Sequence, residues 1–252
     1  MIITGGKGTR LAPYTNALPK GLLPIGSQPI LEIIVKQLRS YGFDRITMAC
    51  GYLAPLIQSY FIDGKKWGVD IDYILENKPL GTAGPLKGLQ NVTEPFLVMN
   101  CDVLTTLDFK KLWNFHCNKH GLLTIAAQKK SNILDYGVLE TEGDIVIDII
   151  EKPKVDAYIN MGIYVMSPIV LDYIPEQTFF NIPELIRCLL DDQKKILHFS
   201  NNDFWLDIGR PSDYVRANKE YPKMIQLLLP GKQDAEINTM SQPAEPWGMS
   251  DQ

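Results

Sequence analysis

The 252-residue sequence contains only three histidines and four cysteines, and this scarcity limits the metal sites that it can form. No two cysteines form a C-x-x-C pair, so a structural zinc cluster is not expected. Unpaired cysteines scattered through a chain of this length are typical of reduced thiols in a cytoplasmic protein. They are Cys50, Cys101, Cys117 and Cys188.

The sequence also lacks long apolar segments and an excess of basic charge. No stretch approaches the roughly 20 apolar residues of a membrane-spanning helix. The apolar start, residues 1–3, runs directly into glycines, unlike a signal peptide. The formal net charge of −4 argues against a nucleic-acid partner. We therefore expect a cytoplasmic protein with neither membrane nor nucleic acid as partner, whose carboxylates could hold a cation and, through it, phosphates.

Apolar residues make up 45% of the chain and charged residues 21%, which is ordinary for a globular protein with a sizeable core. The length suits one large α/β domain followed by a tail. Polar residues, proline and glycine become frequent after about residue 220. We therefore predict one domain over residues 1–220 and a partly disordered tail over 221–252, with the disorder in 231–252.

Short apolar runs alternate with amphipathic segments through the first 102 residues, as expected for strands that alternate with helices. This repeat predicts a doubly wound α/β fold with a mostly parallel, mixed sheet. The predicted strands are 1–4, 45–49, 69–75 and 96–99, and the predicted helices are 29–41, 54–61 and 81–89. Because the first strand is short, we expect its true start to lie upstream of Met1.

The second half of the chain is rich in β-type segments and makes antiparallel pairing plausible. Predicted strands cover 122–128, 137–140, 145–150 and 159–166, and a predicted helix covers 183–190. The dipeptide Gly143-Asp144 marks a turn between the two middle strands. This half therefore indicates mixed α/β structure.

A glycine-rich segment, residues 4–10, follows the first strand and has the properties of a phosphate-binding loop. Gly5, Gly6 and Gly8 let the backbone approach a ligand closely, and Arg10 adds positive charge. The segment matches neither the Walker A pattern G-x-x-x-x-G-K-[ST] nor the dinucleotide pattern G-x-G-x-x-G. Alone, it could equally be a turn between a strand and a helix.

A second cation, Lys20, lies ten residues after Arg10, inside the run P-K-G-L-L-P at 19–24. Together with G-G-K-G-T-R-L-A-P-Y-T at 5–15, this run resembles the N-terminal signature of the sugar-1-phosphate nucleotidyltransferases. Further motifs of that family follow in the family's order, and the resemblance covers residues 1–218. They are P-L-G-T-A-G-P-L at 79–86, N-x-D at 100–102, Y-G-V at 136–138, E-K-P at 151–153, N-x-G-I-Y at 160–164 and W-L-D-I-G at 205–209.

The resemblance implies an enzyme that joins a nucleoside triphosphate to a sugar 1-phosphate and releases pyrophosphate, on a GT-A-like Rossmann fold. It implies catalytic roles for Arg10, Lys20 and Asp102, with Mg²⁺ (or Mn²⁺) bound by Asp102 and Asp207. The residues expected at the nucleotide are Thr4, Gly5, Gly6, Gly8, Thr9, Glu76, Pro79, Gly81 and Thr82. Those expected at the sugar phosphate are Tyr136, Gly137, Glu151, Lys152, Asn160 and Gly162.

Ordinary structural roles stay open for several of these residues. Asp102 could cap a following turn, and Thr82 could cap the helix that we predict after it. Arg10 and Lys20 could be a solvated surface pair, and Asn160 could be a turn residue. We expect the three histidines to lie at the surface or behind the site, without a catalytic role.

Within the family, the motifs at 79–86 and 205–209 are most similar to those of guanylyltransferases. They indicate GTP together with a mannose-, heptose- or amino-sugar 1-phosphate. The alternative is uridylyl, thymidylyl or cytidylyl transfer to glucose 1-phosphate, and an alternative of another class is a non-catalytic nucleotide-sugar-binding regulatory protein. A glycosyltransferase of similar fold would carry D-x-D, whereas Asn100 stands at the first position. A homo-oligomer is possible on this sequence.

Overall fold

The structure is a computed structural model that describes residues 1–229, so the predicted disordered segment 231–252 lies outside the described residues. In chain order its strands are β1 (Ile2–Ile3), β2 (Pro24–Ile25), β3 (Gln28–Pro29), β4 (Arg45–Cys50), β5 (Asp70–Leu75), β6 (Phe96–Asn100), β7 (Val103–Thr105), β8 (Leu123–Ile133), β9 (Gly137–Glu142), β10 (Ile145–Glu151), β11 (Lys154–Met166), β12 (Ile196–Asn201) and β13 (Trp205–Asp207). Its α-helices are α1 (Ile30–Ser40), α2 (Ala54–Phe61), α3 (Phe109–Lys119), α4 (Ile182–Asp191) and α5 (Pro211–Leu228).

The central sheet of the described chain has seven strands in the order β12-β8-β11-β6-β1-β4-β5. Strands β6, β1, β4 and β5 are parallel to one another. β11 runs antiparallel to both of its neighbours, β6 and β8, and β12 is parallel to β8. The predicted doubly wound, mostly parallel mixed sheet is therefore confirmed.

Two apolar clusters cover the two faces of this sheet. Consecutive residues of a strand point to opposite faces, and Val98 and Met99 of β6 belong to different clusters. Ile33 of α1 packs in the larger cluster, which also contains residues of α5, whereas Leu185 of α4 packs in the smaller one. Helices on both faces leave the two ends of the strands as the places where a ligand can enter.

Segment 81–89 is not the helix that the sequence predicts. It forms a turn followed by a short 3₁₀ helix over Gly84–Gly88. Gly81 has φ +79°, and a Cβ atom there would lie 2.6 Å from the carbonyl oxygen of Phe180. The N–H groups of Ala83 and Gly84 donate to the same oxygen, so the start of this segment is bonded to a distant part of the chain instead of to an α-helical turn of its own.

Helix α5 crosses the predicted domain boundary between residues 220 and 221. Its side chains Ala217, Tyr221, Ile225 and Leu228 are buried in the larger cluster. Their spacing of three or four residues places them on one face of the helix. The packed unit therefore includes the whole of α5.

Three strands end together at the edge of the sheet where the predicted site residues lie. Ile3 at the end of β1 pairs with Ala49 of β4 and with Asn100 of β6. In open α/β sheets, ligands bind in the crevice beyond the carboxyl ends of the strands. The fold thus brings the glycine loop after β1 close to the turn that follows β6.

Candidate active site

A cavity of about 380 Å³ lies beyond the carboxyl ends of β1, β4 and β6. It brings together most of the residues that the sequence assigns to the nucleotide and to catalysis. They are Gly5, Gly6, Gly8, Thr9, Arg10, Lys20, Glu76, Pro79, Gly81, Thr82 and Asp102. Because they come from well-separated parts of the chain, the fold and not sequence proximity assembles this set.

The backbone of the glycine loop is shaped for close approach of a ligand. Gly8 has φ +61°, a conformation that favours glycine, and the Thr15 hydroxyl donates a hydrogen bond to its carbonyl oxygen at 2.9 Å. A Cβ atom at Gly5 would collide with the carboxylate of Glu76. Successive N–H groups in such a loop can bind phosphate oxygens.

A cluster of charges borders the loop. Lys20 forms an ion pair with Oδ2 of Asp102, and these two side chains are only 11% and 16% exposed. Asp207 lies beside Asp102, because β13 pairs with β7 and the N–H group of Ile208 donates to the backbone oxygen of Asp102 at 2.9 Å. Burial, and after it the charge of Asp102, raise the pKa of Asp207. The cations Lys20 and Arg10 oppose this shift.

The second carboxylate oxygen of Asp102, Oδ1, is buried and has no hydrogen-bond partner among the described residues. A buried carboxylate oxygen without a partner is costly unless a ligand satisfies it. Over residues 1–229, no group of three or more His, Cys, Asp and Glu side chains could hold a metal. Asp102 and Asp207 thus form a pair of carboxylates, which suits a cation that takes its other ligands from phosphates and water.

Thr4 is one predicted nucleotide residue that does not line the cavity. It is 3% exposed, and its hydroxyl donates to the carbonyl oxygen of Ala49 at 2.6 Å and lies 3.1 Å from the sulfur of Cys50. The hydroxyl therefore attaches the end of β1 to β4. Gly209 does line the cavity, although the sequence marks it only as the last residue of a motif. A Cβ atom at Gly209 would lie 3.3 Å from the guanidinium group of Arg10.

Glu76 is a half-buried carboxylate on the cavity wall. Its Oε2 accepts a hydrogen bond from the N–H group of Leu80 at 2.9 Å. Its Oε1 is buried and lacks a partner within the described chain, next to the backbone of Gly5. Burial raises the pKa of this carboxyl group, and the bond from Leu80 partly offsets the shift. A donor that reaches the cavity wall at this point would give Oε1 the hydrogen bond that it lacks.

The predicted sugar-phosphate residues do not line this cavity, and they fall into two groups. Tyr136, Gly137, Glu151 and Lys152 lie at the base of the β9–β10 hairpin and are exposed. Tyr136 is 79% exposed, and the ammonium group of Lys152 pairs with Asp135 at 2.6 Å. The hairpin ladder makes these residues neighbours, because Gly137 pairs with Glu151 and the N–H group of Lys152 donates to the carbonyl oxygen of Tyr136 at 3.2 Å.

The second group, on β11, is packed against the cavity. The Asn160 side chain accepts from the N–H group of Gly162 at 2.9 Å and donates to the Tyr164 hydroxyl at 2.8 Å. Gly162 has φ +71°, and a Cβ atom there would lie 2.6 Å from Nδ2 of Asn100. Since Asn100 lines the cavity, the β11 residues lie one side chain away from it.

No helix of residues 1–229 combines the length and the apolar character needed to cross a membrane. The histidines divide between surface and core. His120 and His198 are exposed as expected, whereas His116 is 1% exposed. Its Nδ1 lies 2.8 Å from the Thr124 hydroxyl, and burial lowers its pKa, so it belongs to the core and not to the site.

Comparisons with known proteins agree with these motifs. The nucleotidyl transferase family model matches residues 1–224. The UTP–glucose-1-phosphate uridylyltransferase of Synechocystis sp. is 35% identical over 86% of this chain, and the mannose-1-phosphate guanyltransferase of Saccharomyces cerevisiae is 33% identical over 92%. The beta catalytic subunit of the mannose-1-phosphate guanylyltransferase of Drosophila melanogaster is 36% identical over 85%. The matches span 61%, 67% and 60% of the lengths of these three relatives.

Solved structures share the fold along nearly their whole length. HddC from Yersinia pseudotuberculosis, complexed with GMP-PN, superimposes with a TM-score of 0.69 at 28% identity and covers 87% of this chain and 97% of its own. UDP-glucose pyrophosphorylase, complexed with UDP-glucose, has a TM-score of 0.67 at 20% identity, covers 88% of this chain and 97% of its own, and shows the fold alone.

Proposed function

The chain belongs to the nucleotidyl transferase family, and on that premise we propose that it transfers the nucleotidyl group of a nucleoside triphosphate to a sugar 1-phosphate and releases pyrophosphate. The observation that carries this proposal is the cavity in which the glycine loop, two cations and the aspartate Asp102 meet. Phosphate-transfer sites need this combination, because they must hold several negative charges in a fixed arrangement.

In the proposed complex, the backbone N–H groups of the glycine loop bind the triphosphate. Arg10 and Lys20 neutralise the charge that builds up on the departing pyrophosphate. Lys20 reaches this position already paired with Asp102, and Arg10 lies against Gly209. Both cations are therefore placed before the nucleotide binds, which reduces reorganisation during the reaction.

Asp102 and Asp207 are the residues that would hold Mg²⁺ (or Mn²⁺). The buried, unpartnered Oδ1 of Asp102 fits a bound cation, and so does the raised pKa of Asp207, which results first from burial and then from the charge of Asp102. When bound, such an ion supplies positive charge to the reacting phosphates and orients their oxygens. The ion pair with Lys20 holds the carboxylate of Asp102 in place for that purpose.

The proposed chemistry is an in-line displacement at the α-phosphorus. An oxygen of the sugar phosphate forms the new bond, and the bond between the α-phosphorus and the bridging oxygen breaks, so that pyrophosphate leaves with the electron pair. The attacking oxygen is already anionic, and the reaction therefore needs no general base. The protein contributes mainly position and charge neutralisation.

We propose guanine as the base on the strength of Glu76. Guanine presents two adjacent donors, N1–H and the N2 amino group, whereas uracil and thymine present one N–H flanked by acceptors. A carboxylate accepts and never donates when it is ionised. The free Oε1 of Glu76, together with the remaining lone pair of Oε2, matches two donors and leaves a uracil oxygen facing a negative charge.

The variant Glu76→Gln tests this assignment of the base. The amide places an NH₂ donor where guanine also donates, so kcat/KM for GTP should fall roughly 5- to 150-fold, the cost of an unpaired buried polar group. Selectivity for GTP over UTP should fall with it. The measurement is pyrophosphate release with GTP, UTP, dTTP and CTP, each combined with mannose 1-phosphate and with glucose 1-phosphate.

Glu94→Gln is the matched control, because Glu94 is exposed and lies outside this cavity. It should leave the base preference unchanged. A native chain that prefers UTP, or a Glu76→Gln variant with unaltered selectivity, would contradict guanine as the base. Uridylyl transfer to glucose 1-phosphate is the second candidate, because the uridylyltransferase of Synechocystis sp. is 35% identical to this chain. The complex of HddC with GMP-PN favours the first candidate, guanylyl transfer.

The sugar side of the proposal rests on the two groups at the β9–β10 hairpin and on β11. Glu151 and Asn160 offer acceptors for sugar hydroxyls, and Lys152 offers a charge for the sugar's phosphate. In the proposed complex, Tyr136 and Gly137 at the exposed base of the hairpin contact the sugar. Mannose, heptose and amino sugars are the proposed classes, and the reaction is assigned to the cytoplasm.

A further inference from the structure

Phe179 is an aromatic residue of the cavity wall that no sequence pattern marks. Its side chain is 58% exposed, and it lines the same cavity as Glu76, Pro79 and Gly81. The adjacent Phe180 packs against the smaller apolar cluster, as expected for consecutive residues of an extended segment. The core therefore takes the ring of Phe180 and leaves the ring of Phe179 on the side of the cavity.

The chain that follows Phe179 is bonded to the loop at 79–84. The N–H group of Phe180 donates to the carbonyl oxygen of Leu80 at 2.9 Å. The side chain of Asn181 accepts from the N–H group of Thr82 at 3.3 Å, and the N–H group of Ile182 donates to the Thr82 hydroxyl at 2.9 Å. The backbone next to Phe179 is thus held at a fixed place relative to the loop that is proposed to meet the base.

The helix that follows does not require an aromatic ring at this position. Asn181 caps α4, with Glu184 completing the capping box. The apolar contacts of this segment are made by Phe180 and Ile182. Phe179 belongs to neither apolar cluster. A phenyl ring that is more than half exposed on a cavity wall gains contact area when a flat ligand covers it.

From this arrangement we infer that Phe179 stacks on the nucleobase of the bound nucleotide. The inference rests on the proposed function and deepens it, because it names the residue that contacts the face of the base. Glu76 is proposed to contact the edge of the same base. Every base has a π face, so the ring contributes affinity without choosing among bases. Gly81 lines the same cavity, and the absence of a side chain there lets the loop lie against the backbone of Phe180.

The test is the equilibrium affinity of Phe179→Ala for nucleoside triphosphates, measured by calorimetry beside steady-state kinetics. Affinity for GTP should weaken roughly 5- to 150-fold, the range observed when a stacking ring is removed. UTP and CTP should weaken by a similar factor, and KM for the sugar 1-phosphate should stay within about twofold. Phe179→Tyr keeps a stacking face and should retain most of the affinity.

Leu190→Ala is the matched control, since Leu190 is 56% exposed on α4 and lies outside the cavity. Unchanged nucleotide affinity in Phe179→Ala, or a loss confined to the sugar 1-phosphate, overturns the inference while the proposed function stands. A loss for GTP alone assigns the ring to base choice and also overturns it. If the native chain binds no nucleotide, the proposed function fails, and the inference fails with it.

Discussion

Replacing Asp102 with asparagine should lower kcat by at least about 10³-fold while the protein remains folded. Asp102 is the group on which the charged cluster depends, because it pairs with Lys20 and adjoins Asp207. Asparagine keeps the size of the side chain but removes the charge that would hold a cation and fix the ammonium group of Lys20. We expect the loss in kcat at saturating substrate, measured as pyrophosphate release across a range of Mg²⁺ concentrations.

The same substitution should leave the melting temperature of the substrate-free protein within about 5 °C of the native value or raise it. In the native protein, the carboxylate of Asp102 adjoins Asp207 and has an unpartnered buried oxygen. The variant therefore loses the repulsion between the two carboxylates as well as the ion pair with Lys20, and the two effects on stability oppose each other. Asp70→Asn is the matched control, because Asp70 pairs with Lys65 at the exposed surface. Activity of Asp102→Asn within tenfold of native would remove Asp102 from the site.

Lys20→Met is expected to lower kcat by about 10²- to 10³-fold. The Lys20 side chain is 11% exposed and lies next to a glycine loop, so its charge acts on phosphates with little screening by water. Methionine retains the length of the side chain and removes only the charge. Lys20→Arg should recover part of the activity, because it restores the charge with a different shape.

Lys65→Met serves as the control for this substitution, since Lys65 is the exposed partner of Asp70. The double variant Lys20→Met/Asp102→Asn gives a further check. If the two groups act as one unit, the double variant should be little worse than Asp102→Asn alone. Effects that multiply would show that Lys20 acts independently of Asp102, contrary to the ion pair described above.

Much of the catalytic cluster could be predicted from the sequence, because its residues lie in compact motifs. Arg10 and Lys20 are ten residues apart in one signature, and Asp102 directly follows a buried apolar strand. The physical reason is that ligand contacts depend on loops at strand ends, and such loops have distinctive compositions. Their approach to one cavity follows from the register of β1, β4 and β6.

Other parts could not be predicted, because they depend on contacts between distant segments. Segment 81–89 has the composition of a helix start, but the N–H groups of Ala83 and Gly84 bond to Phe180, almost one hundred residues later. Phe179 and Asn181 reach the cavity through the same contact and lie in no motif. Helix α3 was not predicted either, although Asp108 caps it by accepting from the N–H group of Lys111 at 3.0 Å.

Two predictions about residues near the chain ends also show where local patterns are insufficient. The polar composition after residue 220 suggested the end of the domain, whereas Tyr221 and Ile225 are buried in the core. Only the spacing of the apolar residues along α5 signals this face. Thr4 was assigned to the ligand by its place beside the loop, and burial of its hydroxyl against β4 is visible only in three dimensions.

The most direct test of the account is to identify the products that the native chain forms from GTP, Mg²⁺ and mannose 1-phosphate, heptose 1-phosphate or an amino-sugar 1-phosphate. Mass spectrometry should find a guanosine diphosphate sugar in equal amount to pyrophosphate with at least one of these substrates. Tight binding of the finished nucleotide sugar without turnover, or hydrolysis of GTP to GDP and phosphate, would contradict nucleotidyl transfer at this cavity.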